Sequence, residues 1–139
     1  MKVNLNKQIT QNFKLDEFLL SKFYDKDQQK KVLESVDHRV LENIHQLAEE
    51  LQVLRNKLDQ PIKINIGFRP LWWELKQGRS GSSQHVKGKA ADIRANGLKP
   101  KYVAAKIEQL IREGKMSEGG LSDYNTFTHY DIRGYKARW

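Results

Sequence analysis

Two short stretches lying far apart in the chain must meet in space, and that requirement restricts the fold more than any other feature. The first is Ser83-Gln84-His85-Val86-Lys87-Gly88-Lys89-Ala90-Ala91-Asp92, of the form Ser-x-His-x-x-Gly-x-Ala-x-Asp; the second is His129-Tyr130-Asp131. Imidazole and carboxylate are the donors zinc takes when no thiolate is offered, and the chain has no Cys. Two His and one Asp leave a fourth tetrahedral position open, as catalytic zinc sites do. Gly88 and Ala90 suit a tight turn into a strand that carries Asp92 back beside His85. In the closing strand the two-residue period places Phe127, His129, Asp131 and Arg133 on one face, with Thr128, Tyr130 and Ile132 on the other. His129 and Asp131 then aim at the point that His85 and Asp92 approach from an adjacent strand.

The surrounding pattern supplies the elements for such a meeting. Asp16 precedes a short amphipathic helix with Phe18, Leu19, Leu20 and Phe23, and the charged, Gln-rich residues 25–31 suit a loop or a frayed helix start. Val36, Val40, Ile44, Leu47, Leu51, Leu54 and Leu58 recur every three or four residues and predict one long helix, stopped by Asp59-Gln60-Pro61. Ile62, Ile64 and Ile66 alternate with polar residues as a half-buried strand that delivers Arg69. Residues 70–84, with two Gly and three Ser, are expected to be a loop carrying Trp72 and Trp73. A strand over Ala90–Arg94, a turn at Asn96-Gly97 and a second helix from Pro100 through Ile111 follow. Gly119-Gly120 leads into a last strand from about Thr126 to Arg133. Early helices and later strands predict an α+β fold with helices on a small, mostly antiparallel sheet.

A chain of 139 residues suits one domain, residues 1–139. Lys2, Lys7 and Lys14 interrupt the first twenty residues, so no signal peptide is expected, and no run approaches the roughly 20 apolar residues of a membrane span. The net charge of +8 predicts attraction to polyanions such as anionic wall polymers. The charge is scattered and no nucleic-acid module signature is present, so no specific nucleic-acid partner is expected.

Together with Gly67-Phe68-Arg69, Gly119-Gly120-Leu121, Tyr124, Phe127 and Arg138-Trp139, the two stretches resemble the zinc D-alanyl-D-alanine carboxypeptidase family. The resemblance covers about Phe13 to Trp139. It implies the fold shared by D,D-peptidases and the hedgehog domain, a Zn2+ cofactor, and a monomer made in the cytoplasm that cuts peptidoglycan stem peptides at the bacterial wall. A D,D-carboxypeptidase or an endolysin-like endopeptidase, encoded by a phage or prophage, fits that description.

His85, Asp92 and His129 are the candidate metal ligands. Zinc there would lower the pKa of a water in the open position towards ~7 and polarise the scissile carbonyl. In several relatives an acid three residues before the second His acts as base; here that position is Thr126, which has no carboxylate. Asp131 is the candidate catalytic base, and its competing role is to orient a ligand imidazole. Asp123 is a more remote candidate. Arg69 is the candidate for holding a substrate carboxylate or carbonyl, against a structural ion pair. Ser83 either binds substrate or caps the turn, Trp72 and Trp73 either cover the site or anchor their loop, and Arg138-Trp139 is expected to pack structurally. His38 and His45, seven apart without acidic partners, are expected to be ordinary helix residues. Two other functions remain open: a non-catalytic zinc-binding or wall-binding module, and a polyanion-binding protein.

Overall fold

A computed structural model describes residues 2–139. The elements run α1 (Asp16–Leu19), α2 (Lys26–Glu34), α3 (His38–Leu58), β1 (Ile62–Ile66), α4 (Leu71–Lys76), β2 (Ala90–Ala95), α5 (Pro100–Arg112), β3 (Gly120–Asp123), β4 (Thr128–Asp131) and β5 (Ala137–Arg138). The fold is α+β. Its five-stranded sheet has the order β1-β2-β4-β3-β5, antiparallel except where β5 lies parallel to β3.

The long stripe forms α3. Asp37 caps it by accepting from the Val40 N–H at 2.8 Å, and Asp59 ends it in the left-handed conformation at φ 51°. Ile44, Leu47, Ala48, Leu51 and Leu54 are wholly buried along its inner face, each larger one contributing about 1.5–3 kcal/mol through burial. They pack into one core with Ile93 and Ala91 of β2, Val103 and Ile107 of α5, and Tyr130 of β4. Among the described residues, no helix is long and apolar enough to cross a membrane.

One helix lies where the sequence suggested a loop or a frayed helix start, and another where it suggested a loop. α2 occupies residues 26–34 because Asp25 and Gln28 form a capping box, with reciprocal bonds of 2.8 and 3.0 Å. That signature is present in the sequence; the missing stripe hid it, since only Val32 is buried. α4 is under two turns long, too short for periodicity to register, and it follows Pro70. It is anchored rather than loose: Trp72 Nε1 donates to Ser35 Oγ at 2.9 Å, and Trp73 packs edge-on against Tyr24. α1 is a single turn that leaves Phe23 outside it and exposed.

The sheet sets the register on which the site depends. In β2 the core takes Ala91, Ile93 and Ala95, which turns Asp92 and Arg94 to the opposite face. Asp92 pairs directly across from His129 of β4 and beside Ile66 of β1. On the far side of β4, β3 approaches so closely that a Cβ on Gly120 would overlap the Asp131 carboxylate and the Arg133 guanidinium. Gly120→Ala is therefore expected to lower stability by about 1–3 kcal/mol, as overpacking does. Denaturant unfolding beside the parent checks this; unchanged stability would show that β3 can retreat.

Candidate active site

Arg69, Ser83, His85, Asp92, Tyr124, Phe127, His129 and Trp139 line a cleft of about 270 Å³. Its polar base is assembled from three elements. Ser83 Oγ accepts from the His85 N–H at 3.2 Å and starts the 3₁₀ turn Gln84–Lys87, which buries His85. Gly88 ends that turn at φ 74°, where its α-carbon lies against Val40 of α3. β2 then supplies Asp92 and β4 supplies His129.

The protons of both imidazoles are fixed from outside the cluster. His85 Nδ1 lies 2.7 Å from the Gly67 carbonyl, which can only accept, so Nδ1 carries the proton and Nε2 is bare. Nε2 faces Asp92 Oδ1 at 3.3 Å. His129 Nε2 lies 2.8 Å from Asp131 Oδ2 and donates to it, leaving Nδ1 facing Asp92 Oδ1 at 3.0 Å. The three ligating atoms lie within 4.8 Å of one another. Two lone pairs and a carboxylate turned towards one point call for a cation, and this donor set suits zinc.

Electrostatics follow that geometry. Burial pushes the Asp92 carboxyl up, but the contacts with His129 and His85, which donate to it whenever a proton rather than a cation sits between them, outweigh burial and hold the group well below the usual carboxylate range. Burial likewise opposes ionisation of Asp131, and the bonds from Arg133, His129 and the Gly120 and Arg133 N–H groups prevail, so it too stays ionised. His129 is pulled down by burial yet raised on balance by Asp131 and Asp92.

Asp131 is fully buried beneath His129. The Arg133 fork holds it through Nε at 2.9 Å and Nη2 at 2.7 Å, and it does not line the cleft. The expectation of a base at Asp131 does not match this placement. Asp123 is exposed at the end of β3, outside the cleft lining, and Thr126 lines a neighbouring groove. His38 and His45 lie on α3, outside the cluster.

Arg69 reaches the cleft from the end of β1, its N–H donating to the His85 carbonyl at 3.0 Å. Its Nη2 lies 3.3 Å from Glu74 Oε1 in an ion pair and 3.4 Å from Ser83 Oγ, while Nε has no protein partner among the described residues. Glu74, wholly buried in α4, escaped sequence reasoning because nothing in a six-residue helix marks its inner face. Arg133 was legible on the His129 face, but its fork on Asp131 was not. Trp139 tilts over His129 with ring centroids 5.0 Å apart and donates to Tyr124 Oη at 2.6 Å. Arg138 packs structurally, pairing with Glu108 and Glu118 at 2.8 Å each.

The peptidase M15 family model matches residues 11–131. The chain belongs to the peptidase M15 family. Among solved structures it is similar to the L-Ala D-Glu endopeptidase ChiX of Serratia marcescens, with 18% sequence identity, 72% of this chain and 92% of that chain covered, and a TM-score of 0.43. No curated protein sequence matches the chain. In this M15 member the match spans Arg69, Ser83, His85, Asp92, Tyr124, Phe127 and His129 of the cleft lining, and Asp131 beneath it.

The raised His129 pKa has a consequence for metal-free protein. The folded state holds that proton more tightly than the unfolded chain, so the stability is fully present below the unfolded value near 6.5. It is lost as pH rises through the higher folded value. Chelated protein is expected to melt higher at pH 6 than at pH 8, with the margin shrinking in His129→Gln. Thermal unfolding at both pH values checks this, and an equal margin in the variant would contradict it.

Proposed function

We propose that the protein is a zinc-dependent peptidase that hydrolyses a peptide bond in peptidoglycan stem peptides, as a D,D-carboxypeptidase or an endolysin-like endopeptidase at the bacterial wall. The observation that carries this is the pair of bare imidazole nitrogens turned with Asp92 onto one point at the base of a cleft beside Arg69. Membership in the M15 family supports the reaction class. The single continuous core supports one folding unit.

His85, Asp92 and His129 would hold the ion, which supplies water activation and carbonyl polarisation when bound. Asp131 keeps the His129 proton on Nε2 and so presents Nδ1 to the site, a positioning role that the Arg133 fork stabilises. Arg69 lines the cleft, where its guanidinium suits a carboxylate or a polarised carbonyl of the substrate. Tyr124 Oη accepts from Trp139 and keeps its own proton for donation into the cleft; its ring is held by stacking on Phe127 at 4.5 Å. Among the described residues Asp92 is the sole side-chain carboxylate lining the cleft, so no carboxylate there offers a base that is not also a candidate ligand. That observation favours, as second reading, a zinc-holding module without turnover.

Purified protein loaded with zinc is expected to hold one ion per chain and to release new amino groups from peptidoglycan. Asp131→Asn should weaken zinc affinity by about 10–100-fold, read by competition with a chelating dye. Unchanged affinity with lost turnover would return Asp131 to the base role, worth typically ~10²–10⁴-fold. Bound zinc with no hydrolysis of any wall peptide would establish the module instead.

Arg69→Ala is expected to depress peptide turnover at matched zinc occupancy while leaving zinc content intact. Product quantification by mass spectrometry checks it. Equal turnover in variant and parent would make Arg69 a partner of Glu74 only.

A further inference from the structure

The cleft does not end at the ligand cluster. Past Arg69, Asp92 and Phe127 it continues into a groove of about 430 Å³ walled by Phe23, Ile66 and Trp73. Lys22, Arg69, Arg79 and Arg94 all line this groove, against the single carboxylate of Asp92, which is already engaged with His85 and His129. Beneath the wall, buried Glu74 meets both Arg69 and Arg79, at 3.3 and 2.8 Å, so one negative charge serves two guanidiniums. Arg94 is exposed and uses only Nε, donating to Asn65 Oδ1 at 3.1 Å; its terminal nitrogens have no protein acceptor among the described residues.

We propose that this groove is a subsite for an acidic residue of the peptide substrate, with Arg94 as the group that reads its carboxylate. The inference rests on the peptidase function proposed above. Arg94 shares a face of β2 with Asp92, two residues along, which is about 7 Å of strand. An extended peptide lying over the ligand cluster therefore passes an anionic side chain to Arg94 within two residues of the bond at Asp92. A planar fork with free terminal N–H groups suits a carboxylate in two-point contact. The apolar walls cover the methylenes of a Glu-length side chain, which an amide isostere would fill without gaining the charge.

The test uses two synthetic peptides that differ only in one residue beside the cut bond, glutamate in one and glutamine in the other. Binding by calorimetry and kcat/KM are measured with zinc-loaded protein. The acid is expected to be preferred roughly tenfold, the size of one charge-assisted hydrogen bond partly open to water. Arg94→Gln should collapse that preference, and Lys22→Gln should reduce it. Lys101→Gln, an equal loss of charge on exposed α5, should leave the preference in place, which separates the subsite from attraction by the net charge of +8. Cleavage of both peptides at equal efficiency would overturn the subsite while the peptidase function stands. Acid-selective binding that Arg94→Gln removes, without cleavage of either peptide, would keep the subsite and overturn the peptidase function. A preference that survives Arg94→Gln would overturn the assignment to Arg94.

Discussion

The buried carboxylate of Asp131 is the interaction on which the rest of the site depends. A wholly buried charge is tolerated only when its lone pairs are occupied, and five donors do this: the Gly120 and Arg133 N–H groups, Arg133 Nε and Nη2, and His129 Nε2. These donors come from three residues, Gly120, His129 and Arg133, each placed by a different segment. Gly120 brings β3 onto β4, and only glycine allows the approach, because a Cβ would enter the carboxylate. Arg133 fixes the chain just past β4, and its guanidinium lies against the Trp139 ring at 5.3 Å. Trp139 in turn covers His129. Removing the negative charge would leave three elements without the acceptor they share.

The two imidazoles reach the same electronic state by different routes. His85 is tied to the Gly67 carbonyl, an acceptor that cannot titrate, whereas His129 is tied to a carboxylate. Gly67 is itself constrained, since a side chain there would strike the Phe18 carbonyl, and Phe68 N–H donates to that same oxygen at 2.9 Å. The first ligand is thus braced through backbone and core, the second through charge. A proton and any cation held there would compete for the space between His129 Nδ1 and Asp92 Oδ1, which would couple occupancy of the site to pH.

Much of this was legible before any coordinates. The period of two in β4 placed His129, Asp131 and Arg133 on one face, and the period of three to four defined α3 because its inner face meets a continuous core. That His85, Asp92 and His129 converge followed from residue type and order. What escaped was decided by contacts that periodicity does not encode. α2 is set by its cap and buries only Val32; α4 is too short for a pattern, so Glu74 beneath Arg69 and Arg79 gave no sign. β3 and β5 are four and two residues long, too short for a period to register, and are held in place by pairing with β4 and with β3. The choice between base and positioning group for Asp131 was open because strand alternation gives the face, not the depth, of a side chain.

One strand shows how tightly these demands are joined. In β2, Ala91, Ile93 and Ala95 fill the core, Asp92 faces both imidazoles, and Arg94 lines the cationic groove. A slip of one residue would drive Asp92 and Arg94 into the core and expose Ile93, so the apolar set enforces the register that the chemistry needs. Pairing on both sides, with Ile66 beside Asp92 and His129 opposite it, leaves the strand no freedom to adjust. The same alternation orders the surface of β2 along its length, from the anion at Asp92, which faces both imidazoles, to the exposed cation at Arg94. On the peptidase function proposed above, a peptide bound across that axis would meet opposite charges two residues apart on one strand.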